Sequence, residues 1–166
     1  MAEVLSTQIA NIEAVPQVRN DPWEAQGVLK EAVGVASPAA AQADTDLIRF
    51  CQVPSNARVS QVLICAADAT TAGAINLGLY KPNSEGGAVV DADLFASALD
   101  LTGGPFNNSD QTFESGEYTY AESEKPLWEV LGLTEDPHIM YDVVADISTT
   151  FNGGPTSIAV KVRYTV

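Results

Sequence analysis

The sequence predicts an all-β protein: an antiparallel β-sandwich, jelly-roll-like, with one or two short helices and an extended N-terminal arm. Residues 75–80, 139–147 and 158–166 alternate apolar and polar side chains, as half-buried strands do. Turn-forming runs rich in Gly, Pro and Asn separate the apolar segments, which is typical of sandwiches built from short strands. A flat sandwich with another strand connectivity fits the same pattern.

The first 44 residues differ in composition from the rest, which divides the chain into an N-terminal arm and linker, residues 1–44, and a sandwich body, residues 45–166. Residues 35–43 are small and nearly uncharged, as in a linker. The larger side chains of the arm follow neither a helical nor a strand period. We therefore expect the arm to lack a core of its own and to dock on a partner. The predicted contact residues are Val15, Pro16, Val18, Trp23, Val28 and Leu29.

Trp23 lies next to the turn-forming residues Asn20-Asp21-Pro22, where the arm offers it no core. A large amphipathic ring in such a place is suited to fill a pocket on a partner subunit. Packing against the chain's own sandwich is the alternative, and the sequence favours neither interpretation.

Strands and turns of the body follow from residue type. Residues 47–53 and 58–66 are apolar and rich in β-branched side chains, and Pro54-Ser55-Asn56 joins them, so they are predicted to be neighbouring strands. Residues 107–110 are predicted to form a turn. Residues 152–155, Asn-Gly-Gly-Pro, lie between two alternating segments and predict a hairpin with a longer loop.

Two short helices are predicted in the body. In residues 91–99 the apolar side chains form one stripe behind Asp91, which is suited to cap a helix. In residues 126–131, Pro126 is suited to the first helical position.

The charge of the chain excludes several classes of partner. Lys and Arg number 8 against 22 Asp and Glu, a formal net charge of -14, so counterion release cannot drive binding to a nucleic acid. No apolar run reaches the roughly 18 to 20 residues that cross a bilayer, and residues 1–14 lack the features of a signal peptide. We expect a soluble chain made inside a cell that binds neither nucleic acid nor membrane.

The residues that could carry catalysis are few. His138 is the only histidine, and no serine or cysteine lies in a nucleophile motif. Glycine-rich phosphate loops and metalloprotease motifs are absent from the sequence. Cys51 and Cys65 are too few for a disulfide scaffold and are expected to be buried reduced thiols. The prediction is a protein with no catalytic residues and no cofactor.

The acidic residues of the body could in principle bind a metal ion. Between Lys81 and Lys125 there are nine acids and no base. Asp91 and Asp93 have the spacing of ligands in a calcium loop, but the glycine and the later glutamate of such a loop are missing. We predict no metal site and expect these acids to solvate loops, while calcium binding by the acidic loops is left open.

Four segments of the body, residues 50–63, 76–80, 87–97 and 124–133, resemble tailed-phage head decoration proteins, also called capsid cement proteins. The resemblance covers about residues 45–166 and leaves the arm outside. It implies a virion protein, made in the host cytoplasm, that sits on the outer capsid surface and clamps subunits of the major capsid protein. It further implies copies that associate as dimers or trimers, and it supplies no catalytic residues.

A receptor- or glycan-binding module of a head fibre or tail spike is the alternative function, because β-sandwiches with long polar loops also recognise sugars. Exposed aromatic rings near carboxylates would mark such a module. Tyr118 and Tyr120, beside Glu117 and Glu122, are the candidates.

Overall fold

A computed structural model describes residues 4–20, 27–39, 41–66, 72–155 and 157–166. These residues form two four-stranded sheets in which every strand pair is antiparallel. The first sheet has the order β1-β8-β3-β6 and the second the order β2-β7-β4-β5. The strands are β1 Leu29–Ala36, β2 Leu47–Pro54, β3 Arg58–Ala66, β4 Ala72–Tyr80, β5 Val89–Asp100, β6 Phe106–Asp110, β7 Met140–Asn152 and β8 Ile158–Thr165.

The strand order is that of a jelly roll. Strand β1 pairs with β8, β2 with β7, β3 with β6 and β4 with β5, as if one long hairpin had been wrapped into two layers. The predicted fold class is thereby confirmed, and the flat sandwich of other connectivity is excluded.

The core lies between the two sheets. Val62 and Ile64 of β3 and Val160 of β8 face the interior from the first sheet and are fully buried. Leu77 of β4 and Val143 of β7 meet them from the second. The burial of apolar side chains on facing sheets is the main force that holds such a sandwich together.

Consecutive strands mostly lie in different sheets, which corrects two predictions. Strands β2 and β3 are not neighbours, since the turn between them crosses from the second sheet to the first. Strands β7 and β8 likewise lie in different sheets, so residues 152–155 do not close a hairpin. Alternation along a strand determines which side chains are buried, but it does not say which sheet the strand joins.

Two segments predicted to be helix and turn are strands. Residues 91–99 belong to β5, whose register with β4 shifts at several positions. Because of these shifts Leu94, Phe95 and Ala96 are buried consecutively, which mimics a helical stripe. Residues 107–110 belong to β6, an edge strand whose side chains are polar and largely exposed.

The described residues contain two short α-helices. Helix α1, Thr7–Glu13, begins after Ser6, whose side chain accepts a hydrogen bond from the Ile9 N–H. Helix α2, Leu127–Val130, confirms the helix predicted near residue 126, although Pro126 precedes it as the cap. None of the helices in the described ranges has the length and apolar composition needed to cross a membrane.

Strand β1 lies inside the range 1–44 that composition separates from the body. It pairs with β8 along its whole length, so the sandwich begins at Leu29 and residues 35 and 36 are not linker. Gly34, just before the predicted linker, has no room for a side chain, because a Cβ atom there would lie 2.2 Å from the carbonyl oxygen of Phe50 in β2. We use the name arm from here on for residues 1–28.

Candidate interaction surfaces

The predicted contact residues of the arm are exposed where the structure describes them. Val15 is 98% exposed, Pro16 and Val18 follow it at the surface, and Val28 and Leu29 are exposed at the start of β1. Trp23 lies outside the described residues. The structure therefore places five of the six predicted residues at the surface in two groups, one after α1 and one where the sandwich begins.

Helix α1 carries an apolar stripe that the sequence analysis did not assign to a contact. Leu5, Ile9 and Ile12 are 39, 44 and 51% exposed. Ile9 and Ile12 lie three residues apart on one side of the helix, and Leu5 comes directly before the cap residue Ser6. No residue of α1 is buried. The hydrogen bonds described around α1, such as those of the Asn20 side chain with Asn11 and with the Gln8 carbonyl, join the arm to itself. The described part of the arm thus has no interior of its own.

A second apolar stripe, the β1 stripe, lies on the outer side of the sandwich. Leu29, Val33 and Val35 share the outer side of β1 with Glu31, and Val35 is 70% exposed. Strand β1 is at the edge of the first sheet. Apolar residues recur along β1 in the sequence, but alanine and glycine lie between them, so the segment does not have the clear apolar and polar alternation of a strand. The β1 stripe is continuous in sequence with Val28 of the arm.

The two sheets differ in the sign of their charge. The strands of the first sheet carry two acids, Glu31 and Asp110, against four bases: Lys30, Arg58, Lys161 and Arg163. The strands of the second sheet carry one base, Arg49, against five acids: Asp91, Asp93, Asp100, Asp142 and Asp146. In a chain with a net charge of -14, the first sheet is therefore the side that an acidic partner can approach with least repulsion.

An open apolar groove of about 410 Å³ lies at one end of the sandwich, and we call it the end groove. The residues that line it are mostly apolar and come from segments far apart in sequence, so no local motif marks it: Lys81, Val90, Leu131, Leu133, Pro137, Ile139 and Tyr141. Lys81 is the only base between Arg58 and Lys125. The groove thus combines an apolar wall with one basic residue.

Three carboxylates meet beside β5. Oxygens of Asp91, Asp93 and Glu117 lie within 4.8 Å of one another. Desolvation raises the pKa of Asp91, and the charges of Asp91 and Asp93 raise the pKa of Glu117. Exposed acidic groups often cluster without a cation, so the predicted lack of a metal site is not tested by this cluster and stays a prediction.

The groups that could act in catalysis have structural contacts. The Ser55 hydroxyl donates to Asp136, and Asp136 lies 3.2 Å from Nδ1 of His138, so the carboxylate separates serine from imidazole. Desolvation acts to raise the pKa of Asp136, but hydrogen bonds from Ser55 and His138 outweigh it, and the pKa of Asp136 is lowered. Such an arrangement ties the turn after β2 to the loop before β7 and does not activate the serine as a nucleophile.

Both cysteines are free, as predicted, and they are partly buried where the sequence predicts buried thiols. Burial, reinforced by the charge of Asp142, raises the pKa of Cys51 to about 11, which keeps this thiol protonated and unreactive at neutral pH.

The aromatic pair proposed as a sugar platform is divided between core and surface. Tyr118 is fully buried, and its hydroxyl donates to the carbonyl of Val59. Tyr120 is 84% exposed. Tyr118 therefore cannot present its ring to a ligand, and the glycan-binding alternative loses one of its two candidate residues.

Comparisons with known proteins give one structural likeness. No protein-family model matches the chain, and no curated protein matches it. Among solved structures, a chain of the Cyanophage Pam1 capsid asymmetric unit is similar with a TM-score of 0.55 and 18% identity, over 84% of this chain and 86% of that chain. At this identity the likeness shows a shared fold that extends over most of both chains.

Proposed function

We propose that this chain is a non-enzymatic phage virion protein that binds the outer capsid surface and cements subunits of the major capsid protein. Its arm contacts the major capsid protein through Val15, Pro16, Val18, Trp23, Val28 and Leu29, while the sandwich contacts other copies of the chain as a dimer or trimer. The observation that carries the proposal is the exposed apolar arm, which has no interior of its own in the described residues.

The shared fold supports the choice of a virion role, because the similar chain comes from a phage capsid asymmetric unit. The segments of the body that resemble decoration proteins support the finer assignment. A protein that binds only the assembled shell stabilises it by mass action, and many copies multiply the effect.

The charge distribution supports a position outside the shell. Inside the head, a net charge of -14 per copy would face the phosphates of packaged DNA. On the outside, the first sheet and the β1 stripe offer a surface with little negative charge for contact with the shell. The acids of the second sheet then face solvent or a neighbouring copy.

The test is a deletion of residues 1–28, which spares all eight strands of the sandwich. We expect the shortened protein to fold, as circular dichroism would show, and to lose binding to undecorated heads in a sedimentation assay. Undiminished occupancy of the heads by the shortened protein would refute the role of the arm.

A double substitution tests the same claim without a deletion. Val15→Ser with Val18→Ser removes two exposed apolar side chains of the arm, and we expect at least a tenfold loss of head affinity. Val89→Ser, at an exposed apolar residue of the second sheet, is the matched control and should leave the affinity unchanged.

A further inference from the structure

Helix α1 is too short to be stable by itself. It has seven residues, whereas isolated helices shorter than about 12 residues are marginal in water. Its only described cap is the Ser6 side chain, and its apolar stripe of Leu5, Ile9 and Ile12 is exposed. A helix of this kind is stabilised by packing its apolar side against another surface.

The end groove is a surface of matching chemistry. Leu131, Leu133 and Ile139 provide apolar side chains that are only partly buried, and the exposed residue Lys81 also lines the groove. Helix α1 ends at Glu13, one residue after Ile12. The helix therefore offers apolar side chains with a carboxylate at its end, and the groove offers an apolar wall with a lysine.

We propose that α1 of one copy docks in the end groove of a second copy, with Leu5, Ile9 and Ile12 against the apolar wall and Glu13 paired with Lys81. This contact joins copies of the chain to one another, so it goes beyond attachment to the capsid and can be measured without heads. The residues assigned to the major capsid protein follow α1 in the arm and stay available.

The topology lets the arm reach such a groove. Strand β1 begins at Leu29, which pairs with Thr165, and Thr165 also pairs with Arg58, the first residue after the turn from β2. Pro54 before that turn pairs with Met140, next to Ile139 and Tyr141 of the groove. The arm thus leaves the sandwich at the end that carries the groove.

A second copy is the occupant that the described chain favours. No residue of α1 lines the groove of its own chain. Copies with a net charge of -14 repel each other, and a contact that pairs opposite charges lowers this repulsion. Glu13 of α1 and Lys81 of the groove are such a pair, which favours α1 of a second copy as the occupant.

Charge reversal tests the pair. We expect Lys81→Glu and Glu13→Lys each to weaken self-association of the full chain at least tenfold in sedimentation equilibrium, and the double variant to recover to within about threefold of the original chain. Both side chains are exposed, so folding is not at risk. Lys125→Glu makes the same change of charge away from the groove and is the control. A chain that stays monomeric, or a double variant without recovery, would overturn the proposal.

A mixing experiment distinguishes docking between copies from docking within one copy. One variant carries Leu5→Ser, Ile9→Ser and Ile12→Ser, which disables α1, and the other carries Lys81→Glu, which disables the groove. If α1 docks between copies, a mixture forms heterodimers that neither variant forms alone. No association in the mixture would overturn the proposal.

Head binding separates this proposal from the proposed function. If Lys81→Glu abolishes head binding while the original chain shows no self-association, the groove binds the capsid and the contact between copies is wrong. If the charge pair governs self-association but heads bind no copy, the contact between copies stands and the proposed function fails.

Discussion

Gly34 of β1 packs so closely against Phe50 of β2 that a Cβ atom at Gly34 would lie 2.2 Å from the Phe50 carbonyl oxygen. The atom it would meet belongs to the backbone, so a larger residue must displace a strand. We expect Gly34→Ala to lower the free energy of unfolding by about 2 kcal/mol or more, the range of overpacked interiors. Urea denaturation measures it, with Gly103→Ala, where nothing lies within 4 Å, as the control. An equal effect of the two substitutions would contradict the close packing of β1 on β2.

Arg49 and Asp142 form a largely enclosed ion pair, with Nη1 of Arg49 2.6 Å from the carboxylate. Arg49 also donates to the carbonyls of Lys81 and Gly87, which links β2 to the loop between β4 and β5. Removing the guanidinium leaves a largely buried carboxylate without its cation, so we expect Arg49→Met to cost about 2 to 3 kcal/mol.

The exposed pair of Arg163 and Glu31 provides the matched comparison in the first sheet. Exposed ion pairs contribute less than about 1 kcal/mol, so Arg163→Met should change stability little. Denaturant titrations of both variants measure the difference. Equal losses would contradict the role of burial at Arg49.

Glu117 gives a pH-dependent effect. Its pKa is raised by Asp91 and then by Asp93, so the folded chain holds this proton more tightly than the unfolded chain. The ionised carboxylate therefore opposes folding at pH 7, and the effect disappears below the ordinary glutamate pKa of about 4.3. We expect Glu117→Gln to raise Tm at pH 7 and to have no effect near pH 3. The control is Glu135→Gln, at an exposed loop position, which should leave Tm unchanged at both pH values. If Glu117→Gln still raised Tm at pH 3, charge repulsion among the three carboxylates would not be the cause.

Val35 tests whether the β1 stripe contacts the shell. Its side chain is exposed, so Val35→Asp should leave Tm unchanged, while a charge placed in an apolar contact should lower head affinity at least tenfold. Leu47→Asp makes a similar change at the start of β2 in the second sheet and should leave the affinity unchanged. If Val35→Asp and Leu47→Asp changed head affinity equally, the β1 stripe would not be part of the surface that contacts the shell.

Trp23 is tested by binding, since it lies outside the described residues. Truncating a buried aromatic anchor costs more than about 1 kcal/mol, so Trp23→Ala should weaken head attachment at least fivefold. Unchanged affinity in a titration with heads would favour the alternative, in which Trp23 packs against its own sandwich.

The sequence predicts the strands that have clean alternation or that are rich in apolar, β-branched residues, and it misses β1, β5 and β6. Strands β4, β7 and β8 have regular apolar alternation, and the structure has strands at the positions that this alternation predicts. Strand β5 is missed because its register shifts bury three consecutive residues, and β1 because close packing on Phe50 requires small side chains. Strands β5 and β1 are missed because their residues are set by tertiary packing, which the local pattern of apolar and polar residues does not reveal.

The interaction surfaces are predictable only in part. The exposure of Val15, Val18 and Val28 follows from the lack of period in the arm. The end groove does not, because Lys81, Leu131 and Ile139 meet only after β4, β5 and β7 are in place. The difference in charge between the sheets also depends on strand order, which alternation cannot reveal.

A cryo-electron microscopy map of intact particles at side-chain resolution is the most direct measurement of how this chain is attached. We expect density for the sandwich outside the shell, with residues 1–28 lying along subunits of the major capsid protein. Particles whose outer surface lacks the sandwich, or whose map shows these residues folded back on their own sandwich with no capsid contact, would contradict the proposed attachment.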